Sequence, residues 1–367
     1  MKLGVEAALV DGLLIKGDVE VQDGRISAVG LSAPAGRGIA VPGFVDLQVN
    51  GFGGVDFLDA DADGYRRAGE ALLETGVTAY LPTLITSPEQ QILAAMREVP
   101  ISDARPRILG LHLEGPFLSP NRLGTHEASS RRDPDPALLD RLLDAGPVRM
   151  MTLAPELPGA TQLIDRLLER GVAVSLGHTD ATAEQANAAF DRGARSVTHL
   201  YNAMSQLGHR QPGLVGAALA DRNVMCGLIA DGHHVHETAA RAAFNARGAD
   251  GVALISDAMP PAAGGPRVFH IEGRRVTQVG TKLTLDDGTL AGAAITLMDA
   301  VRYATRTLGI ALADALKMAT LTPARLLRVD DKIGRLRKGF AADLVHIGDD
   351  LAVRGAWIAG NATRSGA

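Results

Sequence analysis

Two periods of hydrophobicity run along this chain and divide it into three stretches. In the first, apolar and polar positions alternate. The strings ALVDGLLI, VEVQDGRISAVG and GIAVPG read as short, half-buried strands, with hairpin turns at Asp11-Gly12 and Asp23-Gly24. The last stretch reads the same way through ADLVHIGDD and LAVRGAWIAG. Two β-rich ends around a different middle predict one small β domain, a sandwich built from residues 1–42 and 335–367.

The middle, 43–334, behaves differently. Eight short apolar runs recur: GFVDLQVN, VTAYLPTL, RILGLHLEG, VRMMTLAP, VAVSLGHT, SVTHLYN, VMCGLIADG and VALISDA. Between them lie segments of helical period such as DGYRRAGEALLETG, PEQQILAAMREV, ALLDRLLDAG, ATQLIDRLLERG, TAEQANAAFDRG and ETAARAAFNARG, several ending at Gly. Eight β-α units predict an α/β fold, a (β/α)8 TIM-like barrel. A doubly wound sheet is the rival, but no Gly-rich phosphate fingerprint follows a strand. An alternating segment at about 266–290 interrupts the barrel as a β insert, and ITLMDAVRYATRTLG and ALADALKMATLTPARLL read as closing helices.

Composition narrows the function. A chain of 367 residues suits one barrel plus a smaller domain, and 46% apolar content can bury a large core. A net charge of −5 gives no general attraction to nucleic acid or to an anionic membrane, so an anionic substrate needs local positive groups. The single cysteine, Cys226, lies in the apolar run VMCGLIA and reads as a buried core residue; no intrachain disulfide can form. No apolar run approaches the roughly 20 residues of a membrane span, and the first residues lack a secretory pattern. The expected location is the cytoplasm.

In a barrel the C-terminal strand ends face the active site, so the polar residues there carry the information. The first strand ends in Asp46, Gln48 and Asn50, on one face by the period of two. The third ends in His112 and Glu114, the fifth at His178, the sixth at His199 and the eighth at Asp257. Any one of these has a plain structural reading as a hydrogen-bonded core residue. Together, Glu114, His178 and His199 form a His₂Glu set, enough for a catalytic zinc with one position left for water or substrate. Asp257 adds an acidic group beside it, and His112 reads as a core or supporting partner. His233, His234 and His236 point in successive directions and do not read as a second metal site.

Many barrel metallohydrolases begin their first strand P-G-x-x-D-x-H-x-H, with both histidines on a metal. Here VPGFVDLQVNGFGG puts Gln48 and Asn50 at those places. Neutral amides are poor ligands beside imidazole and carboxylate. One divalent ion is therefore expected rather than two, zinc first, with iron, manganese or cobalt compatible. Gln48 and Asn50 become hydrogen-bonding supports behind the ligands.

Beyond these residues, LHLEGPFLSP, GTHE, SLGHTDAT, VTHLYNAMSQ, RQPGLVG, ADGHHVH, LISDAMPP and DGTLAGAAITLMDAV occur in order. With the first-strand string they make the chain resemble the N-acetylglucosamine-6-phosphate deacetylases of the amidohydrolase superfamily, in the Gln/Asn, single-metal form. The resemblance implies hydrolytic removal of acetate from N-acetyl-D-glucosamine 6-phosphate. It implies Glu114, His178 and His199 as metal ligands, and Asp257 as general base and acid. His126 would help polarise the carbonyl, with Thr125 beside it where Ala is usual. Asn202, Ala203, Arg210, His234 and Ile295 would contact the substrate, Arg210 as the phosphate clamp. A homodimer is implied as well.

Three other readings stay open. The substrate could be N-acetylgalactosamine 6-phosphate or another N-acyl amino sugar phosphate. A dihydroorotase-like cyclic amidase would normally keep the histidine pair and often a bridging lysine, and no barrel strand here ends in lysine. A non-catalytic sugar-phosphate-binding scaffold would have no reason to keep the metal set.

Overall fold

The computed structural model describes residues 1–31, 36–101, 105–271 and 273–362; parts of the predicted β-domain segments, 32–35 and 363–367, lie outside the described residues. The eight apolar runs form eight parallel strands: Phe44–Val49, Val77–Ile85, Leu111–Glu114, Val148–Leu153, Ala173–Leu176, Ser196–Val197, Met225–Leu228 and Val252–Leu254. Each hydrogen-bonds to the next. A parallel bridge from Val49 to Ala258 joins first to last, with the Asn50 and Gly51 N–H groups donating to the Ala258 carbonyl at 2.8 and 3.0 Å. Central strands such as Phe44–Val49 are buried at every position, as a sheet covered on both faces requires.

The outer helices follow their periodicity. In Ala160–Glu169 the buried positions are Ala160, Leu163, Ile164 and Leu167, one stripe at i, i+3, i+4, i+7. Truncating one such leucine to alanine costs roughly 2–5 kcal/mol. Asp61, Asp135, Thr182 and Thr296 cap helix N-termini with their side chains, and the last two complete reciprocal capping boxes with Gln185 and Asp299. The helix Gly213–Ala220 was not among the predicted segments. Its sequence GLVGAALA is apolar all round and mostly buried, so it carries no stripe to read.

The terminal segments meet in one six-stranded sheet, ordered Leu13–Lys16, Ala7–Val10, Ile39–Pro42, Leu344–Ile347, Val353–Ile358 and Asn361–Ala362. The hairpin Asp18–Gln22/Arg25–Leu31 supplies the second layer over a core of Val5, Ala8, Val19, Val21, Ile26, Ala40, Leu336, Ala342 and Leu344. Both D-G turns have positive φ at each residue, 49° and 85°, then 51° and 73°, the twist that two-residue hairpins need. The chain enters the barrel at Gly43, where a Cβ would lie 1.9 Å from the Thr78 hydroxyl. Arg107 ties the two bodies together through a two-pronged pair with the buried Asp343, at 2.7 and 3.1 Å.

The insert is a four-stranded antiparallel sheet, Val268–Ile271, Arg274–Val279, Lys282–Leu285 and Leu290–Ala293, slightly longer than its alternating pattern. The Ala293 N–H donates to the Asp257 carbonyl at 2.9 Å, which holds the insert against the C-terminal end of the eighth strand. Among the described residues no helix is long and apolar enough to cross a membrane.

Candidate metal centre and active site

Glu114, His178 and His199 come together at the C-terminal strand ends, all buried. His199 Nε2 is 2.9 Å and His178 Nε2 3.3 Å from Glu114 Oε1, and the two ring nitrogens are 3.1 Å apart. Two imidazole nitrogens and one carboxylate oxygen converging at these distances form a donor set that could hold one cation. The donor set, nitrogen and carboxylate oxygen with edges near 3 Å, suits a zinc-like ion with ~2.0–2.2 Å bonds. His178 Nδ1 donates to the Arg122 carbonyl at 2.8 Å, which leaves its Nε2 lone pair aimed at Glu114. Burial would raise the Glu114 carboxyl, but the two imidazoles hold it well below the usual carboxylate range. Burial likewise opposes charge on His199, and Glu114 outweighs it and raises that imidazole.

The backbone at these residues is unusual. His178, His199 and Asp257 have φ of 51°, 29° and 46°, and Tyr201 and Ala203 follow at 79° and 49°. Non-glycine residues avoid this region, at a cost of roughly 1–2 kcal/mol each. The chain turns left-handed directly after the fifth, sixth and eighth strands and swings those side chains over the barrel mouth.

The two first-strand amides stand behind this centre. Gln48 Nε2 donates to Glu114 Oε1 at 3.1 Å, and Asn50 Nδ2 donates to Asp257 Oδ1 at 2.8 Å. Burial and the nearby Glu114 charge push the Asp257 carboxyl up, and the Asn50 bond acts against them. Asp46, on the same strand face, accepts from Gln48 N and Ser256 N at 3.3 Å each, and burial pushes its carboxyl up to about 7. His112 turns away from the centre: its Nε2 meets the Thr152 hydroxyl at 2.8 Å, inside a chain of hydroxyls continuing to Thr198 and Ser175.

His126 has a tautomer fixed by its surroundings. The Thr86 N–H donates to its Nδ1 at 3.2 Å, so the ring proton sits on Nε2, 3.7 Å from Glu114 Oε2. Burial pushes this imidazole down to about 3. It is therefore a neutral hydrogen-bond donor.

A cavity of about 350 Å³ joins these groups. Its wall contains Glu114, His178, His199, Asp257, His126, Thr125, Asn202, Ala203, His234 and Asn50. Two of the expected substrate contacts are not brought there. Arg210 is exposed on the loop before Gly213–Ala220, and Ile295 is buried in the barrel core below the Leu297–Arg306 helix. The apolar part of the wall comes instead from Ile85, Ile229, Met259, Ile271 and Leu290.

The sequence profile of the amidohydrolase family matches residues 39–363. The chain belongs to this family. As an amidohydrolase it is a member of a metal-dependent group, in keeping with its buried Glu/His/His cluster. It is 40% identical over 328 residues to an N-acetylgalactosamine-6-phosphate deacetylase of Shewanella sp. (strain ANA-3), covering 88% of this chain and 82% of that one. It is 36% identical over 377 residues to the human N-acetylglucosamine-6-phosphate deacetylase, covering 95% and 92%. Its fold superposes with a TM-score of 0.93, at 34% identity and 98% coverage of both chains, on a mutant N-acetyl-D-glucosamine-6-phosphate deacetylase from Mycobacterium smegmatis in complex with N-acetyl-D-glucosamine-6-phosphate.

Some cavity residues of this amidohydrolase escaped the sequence reading. Ile271, Thr289, Leu290 and Gly292 belong to the insert, whose alternation marks it as β but not as a roof over the barrel mouth. Arg122 lies on the loop after the third strand and is tied to Asp180 at 2.5 Å. Asp231, which is outside the cavity wall and contacts it through His234, sits one residue before the Gly-His-His of ADGHHVH, and its position after the seventh strand was the available signal.

Proposed function

We propose that this amidohydrolase hydrolyses the amide of N-acetyl-D-glucosamine 6-phosphate to D-glucosamine 6-phosphate and acetate. The observation that carries this reading is one cavity walled by a buried His₂Glu set, a raised carboxyl and a neutral imidazole donor. The relatives that bear this activity in their names support it.

Glu114, His178 and His199 would hold one divalent ion, zinc by donor type, which supplies Lewis acidity that acidifies water and polarises a carbonyl. Asp257 takes the proton of the attacking water while Asn50 holds its Oδ1. A raised carboxyl suits this task, because a base works best with a pKa near the operating pH. His126 donates its Nε2 hydrogen to the carbonyl oxygen as negative charge builds there. Asp257 then passes its proton to the sugar nitrogen, the C–N bond breaks, and acetate and amine leave. Asn202, Ala203, Thr125 and His234 line the space for the sugar.

A second reading concerns the epimer. The 40% identical Shewanella relative is an N-acetylgalactosamine-6-phosphate deacetylase, so the 4-hydroxyl orientation is a specific alternative. Acetate release from both 6-phosphates and from unphosphorylated N-acetylglucosamine tests the reading. Faster release from the glucosamine ester supports it; faster release from the galactosamine ester moves the assignment to the epimer. Equal release from the unphosphorylated sugar removes the phosphate from recognition. Release from none of them, with metal present by elemental analysis, rejects the proposed substrates. Arg210 lies outside the cavity wall, so its reading as a phosphate ligand requires the homodimer implied by the resemblance. Light scattering tests that state.

A further inference from the structure

His234 is held on one side only. Its Nδ1 lies 2.7 Å from Asp231 Oδ2, and both side chains are buried, at 5% and 0% exposure. Asp231 Oδ1 accepts the N–H groups of His233 at 2.8 Å and His234 at 2.9 Å. An ionised carboxylate only accepts, so His234 Nδ1 must carry the ring proton. Burial alone would raise the Asp231 carboxyl, but the His234 ring and the two backbone donors bring it below its ordinary value.

The turn that makes this possible is tightly packed. Gly232 has φ of +78°, and a Cβ there would meet the Tyr303 ring at 3.0 Å. His233 points elsewhere, its Nε2 3.2 Å from the Thr281 hydroxyl, and His236 caps the next helix through the Thr238 N–H. That leaves His234 as the member of the trio in the cavity wall, and its Nε2 has no protein hydrogen-bond partner among the described residues.

We propose that Asp231 is a positioning residue of this site: it fixes His234 in the Nδ1–H tautomer and leaves Nε2 as the ring's free hydrogen-bonding atom in the substrate cavity. This rests on the reading of the cavity as a sugar-phosphate site. In the neutral ring that nitrogen is an acceptor, so it pairs with a hydroxyl or amide hydrogen of the substrate and not with a deprotonated phosphate oxygen. A site that offers a fixed acceptor discriminates against substrates that lack the matching donor.

The test has a spectroscopic arm and a kinetic arm, both on the metal-loaded enzyme. In ¹⁵N NMR at pH 8, with the His234 signals assigned by their loss in His234→Gln, the wild type shows Nδ1 protonated and Nε2 bare. A bare Nδ1 with a protonated Nε2 overturns the proposal whether or not the protein turns over any sugar, and this arm does not depend on a variant that folds. In kinetics, Asp231→Asn raises KM about tenfold and leaves kcat within about threefold, the scale of one misplaced hydrogen bond. The same change made in a His234→Gln background adds no further rise. An equal rise in both backgrounds overturns the proposal, because Asp231 then acts through the turn and not through His234. A wild type inactive on both sugar phosphates rejects the functional reading alone, and the tautomer result stands apart from it.

Discussion

Asn50 Nδ2 donates to Asp257 Oδ1 at 2.8 Å, so the first barrel strand holds the carboxyl proposed as acid–base group, just beyond the end of the eighth. Burial and Glu114 push the Asp257 carboxyl up, and the Asn50 donor lowers it. The base works as a carboxylate, so activity is present above its pKa and lost below it. Asn50→Ala removes the lowering donor, and the acid limb of kcat/KM therefore moves to higher pH. Activity at pH 6 falls more than at pH 9, with roughly a tenfold loss at neutrality. An acid limb that stays in place would separate Asp257 from that limb.

Glu114 and Asp257 line one cavity, and their amides separate the two roles proposed for them, metal ligand and acid–base group. Glu114→Gln removes the charge shared by His178 and His199, so the protein loses its metal by elemental analysis and its activity with it. Asp257→Asn keeps the metal and substrate binding while kcat falls by roughly 10²–10⁴. Turnover unchanged in Asp257→Asn would remove that residue from the mechanism.

His126, with its imidazole pushed down to about 3, is neutral across the working range. It has no protonation to lose, so it contributes no limb to the pH profile. His126→Phe lowers kcat by roughly 10²–10³ at every pH, as loss of one oxyanion donor does, and the shape of the profile is unchanged. A limb that vanishes in this variant would show that the ring titrates during turnover.

Arg107 and Asp343 couple the barrel to the β domain. Asp343 is 5% exposed and keeps only the Ala359 N–H when the guanidinium is removed. Arg107→Met therefore lowers stability by about 2 kcal/mol in urea unfolding at neutral pH. The active-site cavity lies at the opposite strand ends, so kcat is expected to stay at the wild-type value.

The candidate metal set was legible because each member ends an apolar run. A buried strand must stop at the barrel mouth, and Glu114, His178 and His199 stand at or just beyond those strand ends. The two β-rich ends were legible as a sandwich for a similar reason, since alternation and D-G turns are local signals. Contacts between distant elements leave no such trace. The Gln48–Glu114 and Asn50–Asp257 bonds depend on how a barrel closes, and the period of two shows only that both amides share a face. The position of the insert over the cavity depends on the Asp257–Ala293 backbone bond. Gly213–Ala220 escaped because a sequence apolar all round has no stripe by which a helix is read. Asp231 escaped because an aspartate before glycine reads first as a turn residue, and here it is that as well as the partner of His234.

The order of the six-stranded sheet has a consequence for how the protein is made. Ile39–Pro42 pairs on one side with Ala7–Val10 and on the other with Leu344–Ile347. During synthesis the first partner is available at once, while the second leaves the ribosome only after the whole barrel. For most of translation the strand Ile39–Pro42 is therefore an open sheet edge with apolar Ala40 and Val41 uncovered. Nascent chains stalled before residue 344 are expected to be the species that chaperones hold, and release of the last strands is the event that seals them.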